Sequence, residues 1–297
     1  MTLRAGTRTS RLARWQTAHV CALLKQAWPD LEIEVVEFVT RGDRTLDAPL
    51  PEIGGKGLFT AELEGALLDG RIDIAVHSLK DLPTAAVEGI AVGAVPARGD
   101  ARDVMVGDPL HALPPGSVVG TSSPRRAAQI LSMRADLEVR SIRGNVPTRV
   151  AKVDRGEYAA AVLARAGLER LDMEDRIAQT FEPSIMLPAP GQGAIGVQCR
   201  ANDQRVTELL GAIHDDACAA ETSAERSFLA ALQAGCSSPV GAFAVRDSGD
   251  IALTGAVFSE DGSRVVRVSG RGSQAEALGK ELAAQALHAG AAALMHA

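Results

Sequence analysis

Aromatic residues are scarce in this sequence: two tryptophans, one tyrosine and six phenylalanines make up 3% of the chain. A protein that stacks single-stranded bases on aromatic platforms needs more of them. Excess positive charge is absent too, and a net charge of -6 offers no general attraction to a polyanionic backbone. No apolar run is long enough to span a membrane, and the stretch "MTLRAGTRTSRLARWQ" has no apolar core of the kind that marks a secretion signal. Cysteine is sparse: Cys21, Cys199, Cys218 and Cys236 are too scattered for a disulfide framework and form no CxxC pair. The six histidines are as dispersed, so no metal site is expected. These absences predict a cytoplasmic protein that binds neither nucleic acid nor membrane, and whose anionic ligand, if it has one, is small.

What is present is an ordinary soluble composition, 46% hydrophobic and 23% charged, in 297 residues, enough for two or three domains. Apolar runs alternate with helical patterns, the grammar of an α/β fold with crossover helices. A first block reads as strands near 3–5, 31–38 and 72–76 with helices near 11–27 and 58–69, followed by strands around 90–95 and 104–106. The polar "PARGDARD" between the last two reads as a hinge or boundary. A second block repeats the grammar, with strands at 118–120, 137–142 and 159–163 and helices from Ser123 and near 146–155. The Pro- and Gly-rich "PSIMLPAPGQGAIGVQCR" reads as a return crossing. The remainder differs: a long Ala-rich helix near 216–234, strands near 251–259 and 264–269, and a helix near 274–289 suggest a small α+β domain.

Four helix starts carry cations. "GTRTSR" places Arg8 and Arg11 around the cap residue Ser10, "GGKGLF" supplies Lys56, "TSSPRR" supplies Arg125 and Arg126, and "RGNVPTR" supplies Arg143 and Arg149. Ser122 or Ser123 is a good N-cap and Pro124 suits the first helical position, so Arg125 and Arg126 fall in the first turn. A cation there is unfavourable by about 0.3–1 kcal/mol, whereas an anion is welcome. One such pair can be solvated; four predict something that offsets the penalty. In an open α/β sheet, helix N-termini gather at the edge where ligands bind, so these cations should converge on a ligand with several negative charges.

After the strand at 72–76, "IDIAVHSLKDLP" puts His77, Ser78, Lys80 and Asp81 at the same edge. They are too close in sequence for a hydrolase triad, and no GxSxG elbow is present. Asp81 is either a turn residue or a carboxylate that stabilises a cation or moves a proton. "GQGAIG" fits GxGxxG but runs into a strand-like segment, and "GGKGLF" lacks Walker spacing, so neither argues for a nucleotide. Cys236, in "LQAGCSSPVG" beyond the long helix, either fills a small apolar space or stands within reach of a ligand.

The motifs "TRGD", "GGKGLF", "DIAVHSLKDLP", "GTSSPRR", "RGNV", "LPAPGQGAIG" and "AGCSSPVG" occur in the order, and at about the spacing, found in the porphobilinogen deaminases, and the resemblance covers nearly the whole chain. It implies two domains like those of periplasmic binding proteins, with a cleft between them, and a small third domain. The expected boundaries are 1–95 with 190–212 for the catalytic side, 99–188 for the anion-binding side and 216–297 for the cofactor-attachment domain. Members condense four porphobilinogen molecules head to tail on a covalent dipyrromethane primer, releasing ammonia and then hydroxymethylbilane. Each pyrrole carries an acetate and a propionate, which supplies the anion. By resemblance Cys236 holds the dipyrromethane through a thioether, and Asp81 is the catalytic carboxylate that assists loss of ammonia and stabilises the azafulvene cation. Ser10, Ser78, Lys80, Thr121, Ser122, Ser123, Arg125, Arg126 and Arg143 match cofactor-binding positions, and Arg8, Arg149, Lys56 and Phe59 match substrate-binding ones. Departures are modest: Arg11 stands where proline is common, Pro147 and Ala234 where glycine is, and Glu52 where some members have lysine. The implied partners are porphobilinogen and its oligomers, acting on a monomer. A non-catalytic binding protein for a small polycarboxylate is the alternative, but it has no need of Cys236 or a third domain. A DNA-binding regulator with a related ligand domain would need a basic helix-turn-helix, which the N-terminus lacks.

Overall fold

The computed structural model describes residues 2–40, 60–234 and 238–295. In chain order the described elements begin with β1 (Thr2–Arg8), α1 (Arg11–Ala27), β2 (Glu32–Phe38), α2 (Ala61–Leu68), β3 (Ile74–Ser78), β4 (Ile90–Ala94) and β5 (Asp103–Gly107). They continue with β6 (Val118–Gly120), α3 (Pro124–Met133), β7 (Glu138–Arg140), α4 (Val146–Asp154), β8 (Ala160–Ala164), α5 (Arg165–Glu169), β9 (Ile177–Phe181) and β10 (Ile195–Arg200). The last are α6 (Gln204–Gly211), α7 (Asp216–Ala231), β11 (Val240–Asp247), β12 (Asp250–Phe258), β13 (Val265–Gly272), α8 (Ala275–His288) and α9 (Ala292–Met295). The chain divides into two compact units, Met1–Gly99 with Ala194–Ala219 and Asp100–Gly193 with Ala220–Ala297; the first division falls inside "PARGDARD".

In the first unit the strand order is β2-β1-β3-β10-β4. β1 runs parallel to β2 and β3, while β10 enters antiparallel between β3 and β4. Both faces of this sheet are covered. Val20 and Leu24 of α1 and Val206 and Leu210 of α6 pack on one set of strand side chains, including Leu3, Ala5, Ile74 and Val197. Leu63, Ala66 and Leu67 of α2 pack with Ile72, Ala75 and Ile90. α1 starts because the Ser10 hydroxyl accepts the Ala13 N–H at 3.3 Å, and its buried positions 13, 16, 17, 20 and 24 recur at helical spacing.

The second unit repeats the plan in its first sheet, β7-β6-β8-β5-β9, with β6 parallel to β7 and β8, and β5 antiparallel between β8 and β9. In both sheets the antiparallel strand comes from the far side of a chain crossing, which pattern reading along the sequence does not reveal. The third sheet is an antiparallel meander, β11-β12-β13. Its first hairpin closes on Ser248 and Gly249, both at positive φ, as a two-residue turn between right-twisted strands requires. α7 and α8 cover it: Phe228 is fully buried, and a Cβ at Gly255 of β12 would lie 2.5 Å from its ring, so only glycine fits beneath it. The same unit joins this meander to α3 through Ala128, Leu187, Ala256 and Phe258. β9, β11 and the short α5, α6 and α9 are additions to the elements read from the sequence. The expected helix at 58–69 runs over Ala61–Leu68 with Thr60 at its N-cap; residues 58 and 59 lie outside the described residues.

Candidate active site

β3 delivers its last residues, His77 and Ser78, to the carboxyl edge of the first sheet, and the chain then tightens into a 3-10 turn, Leu79–Asp81. Leu79 and Leu82 are buried and the Leu79 N–H donates to the Ala194 carbonyl at 3.0 Å, so the turn is anchored from below. Lys80 is half-buried and Asp81 exposed. Asp81 lines a small recess of about 60 Å³ together with Arg8 from the end of β1, the cap residue Ser10, Gln16, Ser78 and Thr60. The Gln16 amide donates to the Ser78 hydroxyl at 2.9 Å, which fixes α1 to the end of β3. His77 also borders the recess. Burial, then the nearby Arg8 charge, push its pKa down to about 4 against a hydrogen bond with Gln198, so the imidazole is neutral at neutral pH.

In the second unit β6 ends at Gly120 and Thr121 leads into the cap of α3. Ser123 accepts the Arg126 N–H at 3.5 Å, with Pro124 in the first turn, and the Thr121 hydroxyl accepts the Ser123 N–H at 3.2 Å. The Ser122 hydroxyl donates to the Ile142 carbonyl and meets the Ser141 hydroxyl, each at 2.8 Å. This ties the loop after β6 to the loop after β7, which carries Arg143. Asn145 caps α4 by accepting the Thr148 N–H at 2.9 Å, and the Arg149 Nε donates to the Gly144 carbonyl at 2.8 Å. Two cation-bearing helix starts therefore share one edge of this sheet.

Arg125 and Arg126 meet an anion that belongs to the protein itself. They are only 3% and 6% exposed, and a protein carboxylate accompanies them. Asp103, fully buried at the start of β5, accepts Arg125 Nη1 at 2.6 Å on Oδ2, and Arg126 Nε and Nη2 at 2.9 and 2.7 Å on Oδ1. Gln192 donates to the same Oδ1 at 2.9 Å and to the Ala101 carbonyl at 2.7 Å. Arg125 Nη1 also donates to the Leu187 carbonyl at 2.6 Å, and Arg126 Nη1 to that of Val162 at 3.1 Å. Burial alone would push the Asp103 carboxyl up; the two guanidiniums reverse this and hold it well below the usual carboxylate range. Burial pulls Arg125 down, partly opposed by Asp103. The penalty for cations at this helix start is thus offset from within the protein. The offset is incomplete in charge, two cations to one anion, and the buried Arg125 Nε has no hydrogen-bond partner among the described residues.

The structure groups Arg8, Ser10, Ser78 and Asp81 around one recess, with Lys80 on the same turn, and brings the loops of Thr121, Ser122, Ser123, Arg143 and Arg149 to one edge. Cys236, Lys56, Phe59 and Glu52 lie outside the described residues. Asp103, Gln16 and Gln192 went unread in the sequence. The signal for Asp103 was a lone carboxylate opening the apolar strand "DVMV".

A family model described as "Porphobilinogen deaminase, dipyromethane cofactor binding domain" matches residues 3–208, and one described as "Porphobilinogen deaminase, C-terminal domain" matches residues 219–288. The chain belongs to the porphobilinogen deaminase family. It is accordingly a hydroxymethylbilane synthase, a transferase of porphyrin and heme synthesis that deaminates and condenses porphobilinogen on a dipyrromethane cofactor. Its mixed α/β fold, two five-stranded sheets and a small C-terminal antiparallel sheet covered by helices, is that of the porphobilinogen deaminases. Among solved structures, the chain is similar to the effector-binding domain of BenM with its effector benzoate, at 17% identity, TM-score 0.43, covering 71% of this chain and 90% of that one. It is also similar to the periplasmic VFT2 domain of BvgS from Bordetella pertussis, at 16% identity, TM-score 0.42, covering 71% and 86%. The alkanesulfonate-binding protein SsuA from Xanthomonas axonopodis pv. citri, bound to MOPS, follows at 16%, TM-score 0.37, covering 77% and 73%. Scores this low carry no argument about function. Among the described residues no helix is long and apolar enough to cross a membrane, and no group of three or more His, Cys, Asp or Glu is placed to hold a metal ion.

Proposed function

We propose that Asp81 is the catalytic carboxylate of this transferase, on one observation: it is exposed in a recess that it shares with the cation Arg8 and the hydroxyls of Ser10 and Ser78. Its carboxylate accepts a pyrrole N–H and stabilises the delocalised positive charge that develops on the substrate as ammonia leaves. Arg8, Arg149 and Lys56 take the substrate's acetate and propionate, and Phe59 packs against its ring.

Dipyrromethane, when bound, supplies the nucleophilic pyrrole carbon on which the chain grows. The residues present fit such a group. Two buried guanidiniums share one carboxylate, leaving a net positive charge and an orphaned Arg125 Nε–H, a donor set suited to an organic acid. In this reading Cys236 is the thioether attachment point, and Arg125, Arg126, Arg143, Thr121, Ser122, Ser123, Ser10, Ser78 and Lys80 hold the cofactor's carboxylates. Residues 1–95 with 190–212 form the catalytic domain, 99–188 the anion-binding domain and 216–297 the attachment domain. The protein acts as a cytoplasmic monomer without a nucleic-acid partner, in keeping with its net charge of -6; gel filtration tests the monomer.

The Asp81→Asn variant tests the central assignment. It keeps the shape and removes the charge, so turnover should fall by roughly 10²- to 10³-fold while the cofactor still assembles. Full activity in that variant would reject the role.

A further inference from the structure

Glu225 is fully buried in α7, and its carboxylate reaches beyond that helix. Its Oε2 accepts the Gly191 N–H at 2.7 Å and its Oε1 accepts the Ala244 N–H of β11 at 2.9 Å. Burying a full charge to satisfy backbone amides costs more than burying a carboxamide, but a glutamine can accept at only one of the two. The carboxylate therefore joins three segments: the helix that leads toward Cys236, the meander, and the "PGQG" turn.

That turn is fixed by hydrogen bonds on both sides of Gln192. Gly191 and Gly193 both have positive φ, the Gln192 N–H donates to the Ala189 carbonyl at 2.9 Å, and Arg170 donates to the Gly193 carbonyl at 2.6 Å. Between the two glycines Gln192 is fully buried, and its carboxamide reaches Asp103 Oδ1 and the Ala101 carbonyl and accepts from Arg126 Nη2 at 3.3 Å. A path of hydrogen bonds, joined through the Gly191–Gln192 backbone, runs from Glu225 to Asp103 and both guanidiniums.

We propose that Glu225 is a positioning residue: by fixing the Gly191–Gln192 turn it sets where Asp103 holds Arg125 and Arg126 relative to the domain that carries Cys236. This rests on the reading that the two arginines hold the cofactor's carboxylates. A turn displaced by about 1 Å would carry the Gln192 carboxamide off Asp103 and let the guanidiniums turn away.

The test reads the arginines directly. In ¹⁵N-labelled holoenzyme the Arg126 Nε–H signal, assigned by its loss in Arg126→Lys, is compared with that of Arg134, whose Nε bonds Asp136 elsewhere. Glu225→Gln should shift the Arg126 signal and speed its hydrogen exchange at least tenfold, leave the Arg134 signal in place, and slow cofactor assembly from porphobilinogen by roughly 10- to 100-fold. Glu225→Asp, which keeps the charge on a shorter arm, should move the same signal less and serves if the Gln variant does not fold. An unchanged Arg126 signal in a folded variant overturns the proposal. A shifted signal with normal cofactor assembly upholds the coupling and overturns the carboxylate-holding reading beneath it.

Discussion

Replacing Asp103 with asparagine probes the buried ion cluster most severely. The change keeps the volume and removes the carboxylate that faces both guanidiniums, at 2.6 Å from Arg125 and 2.7 Å from Arg126. The new carboxamide has one acceptor oxygen where the carboxylate bonds from both sides, and its NH₂ must turn a donor toward a cation. Removing one partner of a buried pair costs about 3–5 kcal/mol, and here two cations are stranded, so the upper end applies. Set against a typical domain stability of about 5–15 kcal/mol, this brings the protein close to unfolding. Urea denaturation of the holoenzyme near pH 7, with linear extrapolation to water, gives the difference. Asp100→Asn is the comparison: its carboxylate also faces two cations, Arg102 and Arg165, but with side chains 21–31% exposed, so solvent screens the change and it should cost less than Asp103→Asn. Arg125→Met should cost less than Asp103→Asn, since it leaves one cation facing one anion. A loss below 1 kcal/mol in Asp103→Asn, or a larger loss in Arg125→Met, would refute the charge accounting. The pH dependence has a definite sign. The folded carboxyl is held below its ordinary value, so its contribution is complete above about pH 4 and is lost as pH falls further, a loss the Asn variant should lack.

His77 supplies a second pH signature. Its folded pKa near 4 lies below the ordinary 6.5, so the stability it contributes is whole above pH 6.5 and falls by about 3 kcal/mol as pH drops to 4. His77→Gln should flatten the urea midpoint across that window, and an unaltered profile would show that the imidazole is not buried neutral. Gly262→Ala adds a Cβ 2.1 Å from the Ala128 carbonyl at a φ of +70°, so it should cost about 2–4 kcal/mol by the same denaturation; a neutral effect would contradict the packing of the meander loop on α3.

Much of this was legible in the sequence because the signals are local. The capping serine at position 10, the Ser-Pro start of α3 and the Asn145 cap are written in neighbouring residues, and so is the turn that presents Asp81 between the buried Leu79 and Leu82. Asp103 was not legible, because its link to Arg125 spans 22 residues and depends on β5 entering the second sheet antiparallel beside β8. A helix start that looked electrostatically wrong in isolation is right once that strand is in place. The same holds for "GQGAIG". Two of its glycines, Gly191 and Gly193, take positive φ on either side of Gln192, whose carboxamide reaches Asp103.

If cations grip an acidic pyrrole chain tethered by one sulfur, the tether is visible in the mass of the intact protein. The purified wild-type protein should exceed its sequence mass by two linked pyrroles, and Cys236→Ser should lack the excess. An active enzyme at its bare sequence mass, or a Cys236→Ser variant that keeps the added mass, would contradict it.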